Sequence, residues 1–264
     1  MPAPSKPRWR WWVHLCLVGS YPLVLGLLGW SRSTHHRAPA LTGTARGLLV
    51  VSGLELLVFG AVFGLGWLAS RASRDELLLR WRGGWWMVPL AVGYSVALRL
   101  ALLVLAVLVS VVLVVTNVVN LDQLQHTAKA NQPDVSALVD ISALTHNPLY
   151  WWLSVTLVSF VVAGLREELW RTGFLAGLRA LWPGGFSSTR GQLVGVCAAA
   201  VIFGLGHLAM GALASVMAGI LGLGLGVIMV LHRSIWPAVI AHGMFDATTF
   251  AFLPLIADLM RHSH

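Results

Sequence analysis

Charge is scarce in this chain. Only 11% of its 264 residues are charged, whereas soluble domains carry about 25%. That excludes an ordinary water-soluble surface. Cysteine is scarcer still, with two residues, Cys16 and Cys197, both inside apolar runs. Neither a disulfide framework nor a cysteine-based metal site follows from such a pair. No internal repeat, low-complexity tail or HExxH motif is present, so solenoid folds and the strongest zinc-protease spacing are absent.

What remains is apolar. Hydrophobic residues make up 57% of the chain, and most of its length must lie in lipid. The formal charge of +8 is therefore read as an orientation signal and not as a nucleic-acid footprint. Basic residues of polytopic proteins collect in cytoplasmic loops.

A helix crosses the hydrocarbon core with about 20 apolar residues. Seven stretches qualify, approximately 11–30, 47–69, 85–117, 149–178, 191–209, 212–231 and 234–258. The third and fourth are long, and division of the third would give eight. The expected fold class is all-α, a polytopic transmembrane helical bundle. Residues 1–148 would supply N-terminal helices and an external loop, and 149–258 a helical core. The first apolar run exceeds the roughly 7–15 residues of a signal-peptide core, so it is read as a retained span.

Lys6, Arg8 and Arg10, then Arg71, Arg74, Arg80 and Arg82, then Arg179 and Arg190, then His232 and Arg233 fall on one side of such a bundle. The 118–148 loop, with Asp122, Asp134 and Asp140, falls opposite, and Arg32, Arg37 and Arg46 run against the trend. The balance favours a cytoplasmic N-terminus. Gly222 and Gly226 have the GxxxG spacing that lets helix backbones approach.

Ionisable residues inside lipid cost about 2.5–3.5 kcal/mol or more each, and they face a partner or a cavity. Here they are Glu55, Arg99, Glu167, Glu168, Arg171, His207, His242 and Asp246. Glu55 and Arg99 are lone charges, expected to pair with each other or with backbone. His14, near a membrane interface, suggests nothing specific. The others occupy three segments, "EELWRTGFL" (167–175), "FGLGH" (203–207) and "HGMFD" (242–246). Glu167 and Arg171, Phe203 and His207, and His242 and Asp246 are each four apart, and so share a helix face. Singly, each is explained by helix–helix hydrogen bonding or a solvated helix end. Together they are the parts of a hydrolytic site: a carboxylate base, water and imidazole donors. They also suit zinc, and spacing alone leaves both readings open.

These three segments resemble the CPBP intramembrane proteases, the group containing CAAX prenyl endopeptidases and bacteriocin-processing or immunity proteins. That family shows EExxxR, FxxxH and HxxxN or HxxxD segments in this order, and the resemblance covers about residues 149–250. It implies an intramembrane endopeptidase acting on a membrane-associated protein or peptide, in a prokaryotic cell (inner) membrane. Glu167 would activate water. His207 would position the water or the substrate carbonyl, and His242 and Asp246 would polarise that carbonyl, with Glu168 and Arg171 in support and Arg166 nearby. An ionised Asp246 donates no hydrogen bond, so orienting His242 suits it better than holding an oxyanion. No cofactor is expected, although a divalent metal such as zinc on Glu167, His207, His242 and Asp246 stays open. Thr172 stands where the family has arginine, with Arg171 one residue early. That departure, with Asp246, keeps a non-catalytic binding or immunity protein as the alternative.

Overall fold

The computed structural model describes residues 7–35, 43–131 and 139–262. Lys6, Arg37 and Asp134, which entered the orientation argument, lie outside them. Among the described residues all regular structure is helical: α1 (Arg8–His35), α2 (Ala45–Ser70), α3 (Met87–Val115), α4 (Leu121–Ala130), α5 (Ile141–His146), α6 (Pro148–Leu153), α7 (Arg166–Leu181), α8 (Pro183–Phe186), α9 (Thr189–Gly206), α10 (Ala212–His232) and α11 (Trp236–His262). A π-helical segment, Ser154–Leu165, joins α6 to α7 without a break.

The helix starts follow local chemistry. Thr44 and Ser188 cap α2 and α9 by accepting from Gly47 N and Gly191 N at 3.1 Å each. Asn120 and Gln123 form a reciprocal capping box on α4, which satisfies two otherwise orphaned N–H groups. Asn147 caps α6, with Pro148 in the first turn, where its missing N–H costs nothing. Gly83 and Gly84 (φ 107° and 62°) turn the chain into a short 3-10 segment before α3, a conformation that glycine takes without a Cβ penalty.

Among the described residues six helical segments are long and apolar enough to cross a membrane: Ala45–Ser70, Gly84–Val115, Pro148–Leu181, Thr189–Gly206, Ala212–His232 and Trp236–Ile256. These are the expected second to seventh spans with ends moved by a few residues, in an integral membrane protein. The expected first span is helical as α1 but is not among the six. The third does not divide into two spans. The fourth carries the π segment in its first half.

The basic groups gather at one end of the bundle. Arg8 donates to Leu181 O (3.0 Å), Ser234 to Arg80 O (2.9 Å) and Arg179 to Gln192 Oε1 (2.9 Å).

Two sequence expectations about packing change. Glu55 and Arg99 do not pair with each other; the alternative expectation, a backbone partner, holds for Arg99. Arg99 donates to Thr248 Oγ1 and Phe245 O (2.6 Å each), and its guanidinium lies 4.2 Å from the Phe245 ring centre. It thereby ties α3 to α11. Glu55 pairs with Arg166 at 3.0 Å. Nor do Gly222 and Gly226 mainly admit a neighbouring backbone. A Cβ at Gly222 would meet Phe203 Cδ1 at 2.8 Å and Arg171 at 3.3 Å, and one at Gly226 would meet Val196 at 2.5 Å and Arg171 at 3.3 Å. The missing side chains make room for Arg171 and its ring partner. Close backbone contact between α9 and α10 falls instead at Gly204, where a Cβ would lie 2.7 Å from Ser215 O and 3.3 Å from Gly219 Cα. His14 is buried, with Nε2 3.0 Å from Gly173 O and Nδ1 3.2 Å from Ser70 Oγ, so it links α1 to α2 and α7.

Candidate active site

Four elements meet around His242. It projects from the second turn of α11, where Ala241 and Ala238 are fully buried. The neighbouring Gly243 lets the π segment in, since a Cβ there would overlap Phe160 Cδ1 at 2.3 Å. Gly164 does the same from the other side, where a Cβ would lie 2.9 Å from Val239 O. This close seam fixes α11 against the segment that leads into Glu167 and Glu168.

The two adjacent glutamates have different surroundings, as the ~100° turn between successive helical residues requires. Glu168 is fully buried. It forms an ion pair with Arg171, and its Oε1 lies 3.2 Å from His242 Nδ1. A carboxylate can only accept, so Nδ1 carries the hydrogen. Arg171 is also fully buried, with its guanidinium 5.0 Å from the Phe203 ring centre. The displaced arginine therefore serves the second glutamate, three residues back, and not Glu167. Thr172, in the family's arginine position, donates to Leu77 O at 2.8 Å and closes the helix onto the 71–80 loop.

Glu167 faces a cavity. Its Oε1 is held by Arg166 at 2.9 Å, and its Oε2 lies 3.7 Å from His242 Nε2. Asp246 Oδ2 stands 3.6 Å from the same nitrogen. Two acceptors thus face one ring nitrogen beyond direct hydrogen-bond range. A proton on Nε2, or a water between the groups, satisfies them. Glu167, His242 and Asp246 are therefore brought together, with Glu168 and Arg171 behind them.

His207 occupies the residue that ends α9 (φ −100°, ψ 7°). Its Nδ1 lies 2.8 Å from Phe203 O. A carbonyl only accepts, so Nδ1–H donates and Nε2 is left for other partners. His207 borders the same cavity as Glu167. The cavity measures ≈220 Å³. No three His, Cys, Asp or Glu residues among those described are grouped so as to hold a metal ion.

The arrangement of carboxylate, imidazole and cavity inside three apolar helices belongs with one comparison. Residues 149–248 match the family model for type II CAAX prenyl endopeptidase, Rce1-like. This segment is similar to an Rce1-like domain. It is consistent with the CPBP family, and it supports a CAAX-type intramembrane protease, a hydrolase, in general terms. No curated protein and no solved structure matches the chain.

The matched segment holds Glu167, Glu168, Arg171, His207, His242 and Asp246, but the candidate site does not end at its borders. Arg166 is bridged to Glu55 of α2 at 3.0 Å as well as to Glu167. Tyr21, Pro22 and Leu25 of α1 line the cavity opposite Glu167. Sequence reasoning placed Arg166 only nearby and gave α1 no part. The one available signal was the charge of Glu55 in a span that held no partner for it.

Proposed function

We propose that the chain is an intramembrane endopeptidase that hydrolyses a peptide bond of a membrane-associated protein or peptide. Glu167 acts as general base. The observation that carries this reading is His242, with one nitrogen held by buried Glu168 and the other 3.7 Å from Glu167 Oε2. A carboxylate with a free face on a cavity and a donor beside it suits water activation next to a polarised carbonyl.

Glu167 takes a proton from water, and the water oxygen bonds to the scissile carbonyl carbon. His242, protonated on Nε2, donates to the developing oxyanion. Asp246 orients that ring, and Glu168 and Arg171 keep it from turning. His207 supplies its Nε2 to the water or the substrate from the far wall. Collapse of the tetrahedral intermediate breaks the C–N bond, and the proton on Glu167 passes to the leaving nitrogen. All steps use protein groups. The basic end of the bundle is assigned to the cytoplasm, which places the N-terminus inside.

The test is cleavage of a membrane-inserted peptide by the purified protein in liposomes, with products mapped by mass spectrometry. Intact peptide after prolonged incubation with wild type sinks the enzymatic reading. Activity is expected to be unchanged after treatment with a strong zinc chelator. Loss on chelation, restored by added zinc, would overturn the metal-free mechanism. Thr172, in the family's arginine position, and Asp246, in place of the more usual Asn, favour a second reading: a binding or immunity protein on this scaffold. Such a protein keeps its protective or binding function when Glu167 is replaced by Gln.

A further inference from the structure

The cavity has a wall that the Rce1-like domain does not supply. Pro22 sits inside α1. Lacking an N–H, it leaves the carbonyl four residues back without a helical donor. That carbonyl belongs to Val18, and it accepts the indole N–H of Trp170 at 2.8 Å. Trp170, three residues after Glu167, is almost fully buried and borders the cavity, as does Pro22 itself. One turn further along α1, a Cβ at Gly26 would lie 3.1 Å from Gly206 Cα. The helix is thus seated directly against the residue before His207. These two contacts fix α1 on both flanks of the catalytic groups.

The lining tells what the cavity takes. Tyr21, Pro22, Leu25, Trp170 and Met210 make most of it apolar. Among the described residues its one arginine or lysine, Arg166, is already paired with both Glu55 and Glu167, so no permanent positive charge is left over there for a carboxylate or a phosphate. At ≈220 Å³ it is smaller than the roughly 300–1,000 Å³ of pockets that enclose a whole small ligand. We propose that α1 completes the site as a side-chain subsite for one bulky, uncharged apolar residue of the substrate, beside the bond held at Glu167. The naming of the occupant as a peptide rests on the proposed hydrolytic function; the subsite itself rests on the α1 contacts.

The experiment uses the full chain in liposomes, with Glu167→Gln to prevent turnover. The probe is an uncharged membrane peptide carrying one photoreactive leucine. Crosslinks are expected at Tyr21–Leu25 or at Met210. Leu25→Trp, which fills the subsite, should lower their yield about tenfold or more, the scale on which an apolar pocket discriminates. Met210→Trp fills the opposite wall and should do the same, which guards against a folding defect in either variant. Crosslinks spread over the outer helix faces and unchanged in both variants would overturn the subsite. So would a photoreactive lipid acyl chain that labels these residues in preference to the peptide. Turnover by wild type is scored separately. An uncleaved peptide that still crosslinks at α1 defeats the hydrolytic reading and leaves the subsite standing. A cleaved peptide that crosslinks elsewhere does the reverse.

Discussion

Glu167→Gln is expected to lower the turnover number for a membrane peptide by about 10²–10⁴-fold, the usual contribution of a positioned general base. The amide keeps the shape of the side chain but cannot take a proton from water. Arg166 retains Glu55 as a partner at 3.0 Å, so the protein should fold and express as wild type. KM should change little, because the substitution removes a group needed mainly in the transition state. Turnover within about twofold of wild type would eliminate Glu167 as the base. Glu168→Gln is the control that separates the two adjacent carboxylates. It should cost stability as well as activity, since it leaves the buried guanidinium of Arg171 uncompensated.

Arg171→Ala should destabilise the protein by about 3–5 kcal/mol, the cost of removing one partner from a buried ion pair. Both side chains are fully buried, so bulk water does not screen what is left. The substitution also empties the space that Gly222, Gly226 and Phe203 leave around the guanidinium. The measurement is thermal unfolding of the purified protein in a fixed detergent, followed by tryptophan fluorescence. The double variant Glu168→Gln with Arg171→Met should recover much of the loss, because it removes both charges and refills the volume. A single variant that unfolds with wild type would mean that the pair contributes nothing to stability. A double variant no better than the single one would locate the loss in packing alone.

Much of the bundle is legible in the sequence. Runs of about 20 apolar residues locate a membrane helix whatever it packs against, and the spans from α2 onward fall within a few residues of expectation. The six candidate site residues are legible for the same reason, since a charge in lipid stands out. Their partners are not. Arg171 shares a helix face with Glu167 by spacing, yet it pairs with Glu168 because Phe203 and the α10 glycines open space on that side. Glu55 and Arg99 look like natural partners in adjacent spans. Each instead reaches a helix far away in sequence, α7 for one and α11 for the other. The part played by α1 depends on one carbonyl freed by Pro22, and no periodicity reports where that carbonyl will find its donor.

The π-helical segment Ser154–Leu165 has a further consequence for how this gene can vary. A wide-turn helix holds more residues per turn than an α-helix, so it contains slack. Loss of a single residue there can be absorbed by local tightening, and the span still crosses the membrane. Everything downstream then keeps its orientation relative to α6, because the tighter turn makes up the lost rotation. An added residue that no further widening absorbs would instead turn Glu167 and Glu168 by about 100° away from His242 while the span still crossed the membrane. The stretch before the two glutamates is therefore forgiving of loss and unforgiving of gain, although it contains no charged residue at all.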